Sequence, residues 1–170
     1  MLNILFTQIS NIVNIEDISD TNGVIEIRYD VDNLPNQLQL AEINNILSLW
    51  PLTKIKLQKI KELDENWKQV IQNGWTTSYG YKLGIDIQDI TLLNGAFTLA
   101  KEASSIGITD LISIVDLDGN SHQLSLQELT LLMLQYGQAR ASLSNSYAVI
   151  KQSINAATTI QELEAINTNI

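Results

Sequence analysis

Alternating and helical patterns of apolar residues divide this chain into a β-rich beginning and a helix-rich remainder. In NGVIEIRYDV, Ile25, Ile27, Tyr29 and Val31 fall on one face and Glu26, Arg28 and Asp30 on the other, the period of a half-buried strand. Asn22-Gly23 just before it suits a tight hairpin turn, which predicts an earlier strand in LNILF or ISNIVNI pairing back onto it. After Leu34-Pro35-Asn36, the residues Leu40, Ile43, Ile46, Leu47 and Trp50 recur at helical spacing until Pro51, which forbids a regular continuation. A second helix is predicted from Thr53, with Leu57, Ile60, Leu63, Trp67 and Val70 on one stripe and Asn73-Gly74 at its end.

GWTTSYGYKLGID, bounded by Gly74, Gly80 and Gly84, reads as a loop or short extended ribbon carrying Trp75, Tyr79 and Tyr81. Asp86 or Asp89 can cap a third helix, whose stripe Ile90, Leu93, Phe97, Ala100 and Ser104 ends before Gly107. LISIVDLDGNSHQL reads as a hairpin about Asp118-Gly119, a pair suited to a type I′ turn that would set Val115 opposite His122 and Ser113 opposite Leu124. Ser125 and Glu128 form a capping box opening a long helix from Leu126. Along it Leu129, Leu132, Tyr136, Ala139, Leu143, Tyr147, Ile150, Ile154 and Ala157 step by three and four, a seam for the chain's own helices or for a partner helix. Its core side is expected to include Leu129, Leu132, Tyr136, Leu143, Ile150 and Ile154, with Phe97 and Leu93 nearby. Thr158 or Thr159 with Glu162 caps a last short helix carrying Ile160, Leu163 and Ile166.

The expected fold is α+β and helix-dominant: an N-terminal β element, about four substantial helices, one late β-hairpin, a long C-terminal helix and a short final one. One domain is expected, with residues 1–50 as a partly separate N-terminal region and candidate docking segment. The joint to the helical part, 51–170, is placed near Pro35 or Pro51.

Composition narrows the function classes. A 170-residue chain with 45% hydrophobic residues and two prolines fills a core, so wholesale disorder is excluded despite a net charge of -9. Ten basic against nineteen acidic residues leave no overall positive field, which moves nucleic acid and membrane partners down the list. KIKLQKIKEL is locally basic, but Glu62, Asp64 and Glu65 beside it make a solvated helix face the better reading. No cysteine is present, which removes disulfides, thiolate metal sites and thiol catalysis. Met1 is followed by LNILFTQISN, without a basic n-region or small-residue cleavage site, so no targeting segment is expected. The apolar windows fall short of the ~20 residues a spanning helix needs, and a soluble protein without membrane insertion is expected.

Catalytic constellations are thin. Asp116-Leu-Asp118-Gly-Asn120 has the alternating acids of a calcium loop, but aligning Gly119 with the sharp-turn position would make Ile114 the first ligand and Ser125 the closing acid. His122 is the only histidine, and without cysteine there is no tetrahedral zinc set. It could form an acid–base pair with Asp116, yet no nucleophile motif or phosphate loop accompanies it. Asp86, Asp89 and Glu102 could be cast as paired carboxylates, but acids near a helix start are better explained by the helix dipole. The expectation is therefore no catalytic residues, no metal and no cofactor. Trp75, Tyr79 and Tyr81 are candidates for core packing, a protein interface or stacking on a sugar face.

Read together, GWTTSYGYKLGIDIQDITLLNGAFTLA, then ISIVDLDGNSHQLSLQELTLLM, then the long helix ending SINAATTIQELEAI, resemble a domain-of-unknown-function family of tailed-bacteriophage proteins from the tail-fibre and baseplate region. The likeness covers about residues 55–168 and ends in Ile154, Ala157, Thr159, Glu162, Leu163 and Ile166, matching a closing I-x-x-A-x-T-x-x-E-L-x-x-I signature. The resemblance implies a non-enzymatic structural component of a phage tail, baseplate or fibre, made in the host cytoplasm and resident in the virion. Its implied partners are other tail, baseplate or fibre proteins and further copies of itself. The resemblance assigns no functional residues; the interface candidates, taken from the aromatic segment and the long-helix seam, are Trp75, Tyr79, Tyr81, Leu129, Leu132, Tyr136, Leu143, Tyr147 and Ile150. A receptor-binding tip that contacts host surface glycan, or a fibre-assembly chaperone, are the alternatives.

Overall fold

The computed structural model describes residues 1–22 and 24–170, and its architecture is α+β with helix dominant. Contacts divide the chain into two compact units. Unit 1 holds residues 1–61 and 153–166; unit 2 holds residues 62–152 and 167–170. The division falls inside two long helices, between residues 61 and 62 and between 152 and 153, rather than at Pro35 or Pro51.

In unit 1 the first element is a helix, α1 (Leu2–Ser10), where sequence patterning suggested a strand in LNILF. Leu2, Leu5, Phe6 and Ile9 lie on one helical face, and Leu5 and Ile9 are fully buried. The partner of the predicted strand lies further on: β1 (Ile15–Thr21) pairs antiparallel with β2 (Val24–Tyr29), Thr21 opposite Val24 and Ile18 opposite Ile27. Ile25, Ile27 and Tyr29 face the unit's core as expected, while Val31 lies beyond the strand and is exposed. Asn22 has a positive φ of 54°, as the hairpin reading requires, whereas Gly23 lies outside the described residues.

A single helix, α2 (Gln37–Asn73), replaces the two helices expected on either side of Pro51. Asn36 and Gln39 open it reciprocally, each backbone amide donating to the other's side chain at 2.9 Å. Pro51 is exposed, and the buried Ile43 and Trp50 before it stay in phase with the half-buried Leu57 after it, so packing outweighs the lost hydrogen bond. The lysines of KIKLQKIKEL have internal roles. Lys54 pairs with Asp20 at 2.7 Å, while Lys56 and Lys59 donate to the carbonyls of Asn155 and Ile166 at 2.7 and 3.1 Å. These carbonyls lie where helices end, so the ammonium groups satisfy otherwise unpaired acceptors. The short α5 (Ile160–Ala165), capped by Thr159 and Glu162, buries Leu163.

Unit 2 holds the larger core. After Gly74 closes α2 with φ +64°, a two-residue ribbon pairs β3 (Trp75–Thr76) with β4 (Lys82–Leu83). Asp86 and Asp89 form the capping box of α3 (Ile87–Ser105), and Ser125 and Glu128 that of α4 (Leu126–Ala156). Between these helices β5 (Ile112–Val115) and β6 (Ser121–Leu124) form the hairpin. Its register is one residue off the expected one: Ile114 faces His122 and Val115 faces Ser121. Asp116 is the reason, because it pairs with Asn120 and closes the loop one residue earlier. Leu117 to Gly119 are then left as a three-residue loop with Gly119 at φ +84°.

Leu129, Leu132 and Tyr136 on α4 are buried with Leu93 and Ala100 on α3, and Phe97 and Leu143 pack against them half-buried. Ile154 is fully buried and Ile150 half-buried, so the expected core side of the long helix is the observed one. No helix among the described residues is long and apolar enough to cross a membrane.

Candidate functional site

The densest cluster of polar chemistry in unit 2 forms where the hairpin loop meets the glycine-bounded ribbon. Asp116 is buried and receives four donors: the Asp118 amide at 2.9 Å, the Asn120 amide at 2.8 Å, Asn120 Nδ2 at 3.2 Å and His122 Nε2 at 2.8 Å. The His122 hydrogen bond is the largest cause that lowers its carboxyl, which stands at about 2; burial opposes the shift, and Asn120 and Asp118 add to it. An ionised Asp116 only accepts, so the proton on this hydrogen bond belongs to His122 Nε2. The arrangement commits Asp116 inward to the turn, not outward to a cation.

The Tyr81 ring stacks on His122 with centroids 3.7 Å apart and planes 16° from parallel, and Tyr79 stacks on Tyr81 at 6.0 Å. Burial raises the Tyr81 hydroxyl, with the charges of Tyr79, Glu128 and Asp116 adding to it. Thr77, buried under this turn, donates through its amide and its Oγ1 to the Tyr81 carbonyl at 2.9 and 3.0 Å, and Gly80 takes the positive φ that brings Tyr81 back. Gln135 on α4 anchors Ser78 through two hydrogen bonds, at 3.2 Å to the amide and 2.7 Å to the hydroxyl. The result is a three-ring stack with Tyr79 outermost and 40% exposed.

Asp116 and His122 thus meet, as their spacing predicts. The nearest hydroxyls on the hairpin, Ser113 and Ser121, bond each other at 2.7 Å, but strand alternation puts them on the opposite face from His122. The site offers a stacked aromatic platform.

The structure separates the other candidates. Trp75 is in the core, edge-on to Tyr136 at 6.5 Å, and does not join Tyr79 and Tyr81 on the surface. Leu129 and Leu132 are fully buried, and Tyr136 donates to the carbonyls of Ile85 and Asp86, so these three serve the chain's own packing and not an outer interface. Leu143 and Ile150 are half-buried. Tyr147 donates to Asp64 at 2.6 Å and lies against Trp67, whose other neighbour is the Arg140 guanidinium.

A second feature escaped sequence reasoning. An apolar cavity of about 290 Å³ opens among β4, α3 and β5, walled by Leu83, Leu92, Leu93, Ala96, Ile114 and Val115, with the Asp89 carboxyl at one side. Burial raises Asp89, whereas its own amide, donated to Asp86, helps lower that neighbour. Leu92 and Val115 are wall and surface at once, because both are largely exposed. The signal that could have revealed this face is the four-three spacing of Leu92, Ala96, Leu99, Ala103 and Ile106 beside the core stripe.

Fold and site together define a helix-dominant α+β protein with an aromatic stack where the β5–β6 hairpin meets the β3–β4 ribbon and an exposed aliphatic surface along α3. No family model, curated protein or solved structure matches the chain.

The lowered Asp116 carboxyl carries a pH prediction. Its folded value lies below the ordinary 3.8, so its contribution is fully present above about pH 4 and is lost as pH falls through about 2. Acid titration of unfolding free energy for Asp116→Asn is expected to show a shallower decline than wild type across that window. Parallel curves would show that the stabilisation comes from elsewhere.

Proposed function

We propose that this chain is a non-enzymatic structural component of a bacteriophage tail, working by association at the baseplate or with the fibre. The observation that carries the associative part is the exposure of aliphatic residues in unit 1, where Val24, Val31, Leu34 and Leu38 lie more than half open to solvent. The tail context rests on the resemblance over residues 55–168, and the element order supports it. A helix leads into the glycine-aromatic ribbon, then α3, the Asp-Gly hairpin, the capped α4 and the closing signature, in which Thr159 and Glu162 cap α5. Co-expression with the tail proteins of the same phage, followed by light scattering of the purified mixture, is expected to give a complex heavier than either component. A sum of unassociated masses with every tail protein would contradict the proposal.

A receptor-binding tip is favoured as second reading by one observation, the exposed Tyr79 ring backed by Tyr81 and His122 as a flat stacking surface for sugar. Under that reading Tyr79→Ala folds normally and lowers adsorption to host cells at least tenfold, and unchanged adsorption removes it.

A further inference from the structure

The exposed side of α3 bears an apolar stripe at heptad spacing: Leu92, Ala96, Leu99, Ala103 and, at the helix C-cap, Ile106. It runs beside the core-facing stripe of Leu93 and Ala100 rather than within it. Leu92 is 74% exposed, Leu99 59% and Ile106 74%, so the three large members have little cover from their own chain. With Val115 across the cavity mouth they leave on the order of 400 Å² of apolar surface, enough for the dry centre of an interface that buries roughly 800 Å² per partner.

Gly95 adjoins this stripe in the middle of α3. Its φ lies outside the positive range, and a Cβ built on it would meet nothing within 4 Å. Nothing within the chain therefore calls for glycine at a position where alanine makes the better helix. On this side of the helix it leaves room for a second backbone to pass close by.

We infer that α3 pairs antiparallel with α3 of a second copy of this chain. The occupant follows from the stripe itself, which supplies both large and small members in alternation. When residue numbers on facing positions sum to 195, Leu92 meets Ala103 of the other copy and Ala96 meets Leu99, so each leucine enters the space above an alanine. Every contact is then made twice about a two-fold axis, the closed symmetry that limits assembly to a dimer. Gly95 lies beside Leu99 of the other copy, where a missing side chain lets the helices approach. Ile106 of that copy comes to Asp89 and Leu92, at the edge of the 290 Å³ cavity. This pairing stands on exposure and spacing alone and does not depend on the tail reading.

The cysteine-free chain makes the register directly testable. In the double variant Leu92→Cys/Ala103→Cys the two thiols of one chain are roughly 16 Å apart along the helix and cannot bond each other, whereas those of facing copies coincide. Mild oxidation is expected to convert the double variant to covalent dimer and to leave each single variant monomeric on non-reducing gels. Light scattering of the wild type is expected to give twice 19.0 kDa. Leu99→Glu, exposed and so compatible with folding, is expected to weaken the dimer more than tenfold with unchanged circular dichroism. Gly95→Ala should raise the melting temperature of the dilute monomer yet weaken the dimer, while Gly137→Ala on α4 leaves association unchanged. A wild-type mass of one chain at on the order of 100 μM overturns the inference. So does a dimer that survives Leu99→Glu, or cross-linking by Leu92→Cys alone, which reports parallel pairing.

Discussion

Leu132→Ala is expected to lower the unfolding free energy by about 2–5 kcal/mol and the melting temperature by on the order of 10 °C. Leu132 has no exposed surface and sits with Leu129 and Tyr136 against Leu93 and Ala100, so truncation removes its transfer energy and leaves a void between α4 and α3. The size of the loss depends on how far those neighbours collapse, which is why the range is wide. Leu134→Ala, two residues along the same helix and largely exposed, is the control and should change stability by less than about 0.5 kcal/mol. Equal losses at the two positions would mean that α4 packs through a different face.

Gly74→Ala is expected to cost about 2–4 kcal/mol for two independent reasons. The position has φ +64°, which alanine adopts at a penalty, and a Cβ there would press into the Leu83 carbonyl oxygen and against Leu117. Leu83 is paired with Trp75 in the β3–β4 ribbon, and Leu117 donates its amide to the Lys82 carbonyl, so the obstacle is tied down on both sides. Gly119→Ala separates the two causes. It has φ +84° but open space around it, and should show only the backbone part, about 1 kcal/mol. Denaturant titration of both variants measures the difference, and similar losses would remove the close approach from the explanation.

Helix starts were the most legible feature of the sequence. Ser125 with Glu128 announces a helix by chemistry that needs no tertiary context, Asp86 or Asp89 and Thr158 or Thr159 offer caps for two more, and in the structure Ser125–Glu128, Asp86–Asp89 and Thr159–Glu162 each form a reciprocal cap. The elements misread lack such a local signal. α1 has no side-chain cap and no acidic residue in its first turn, so its nine apolar-rich residues pass for a strand until Leu5 and Ile9 are seen buried. Pro51 looks like a stop because a single residue's hydrogen bond is visible in sequence, whereas the stripe of Ile43, Trp50 and Leu57 that runs past it acts through neighbours. The hairpin register turned on one carboxylate. Asp116 pairs with Asn120 and gathers its amide together with that of Asp118, a preference that outcompetes the two-residue turn suggested by Asp118-Gly119.

For the candidate site, the meeting of Asp116 and His122 was readable from their positions on one hairpin. The stacking of Tyr81 on His122 was not, because it depends on how Thr77, Gly80 and Gln135 fold the ribbon back over that hairpin. Trp75 and Tyr79 look equivalent in sequence, yet the ribbon puts one inside and one outside. The exposed stripe on α3 was hidden by the core stripe next to it, since hydrophobic periodicity reports that a residue is apolar and not which of two adjacent faces is covered.

The proposal that the chain is a resident part of a phage tail is tested most directly by quantitative mass spectrometry of purified particles of the phage that encodes it. Peptides from both units are expected in the mature particle, at a fixed ratio to the other tail proteins. Their absence from particles, with the protein abundant in the infected host, would contradict the proposal and leave an assembly factor that departs before the tail is complete.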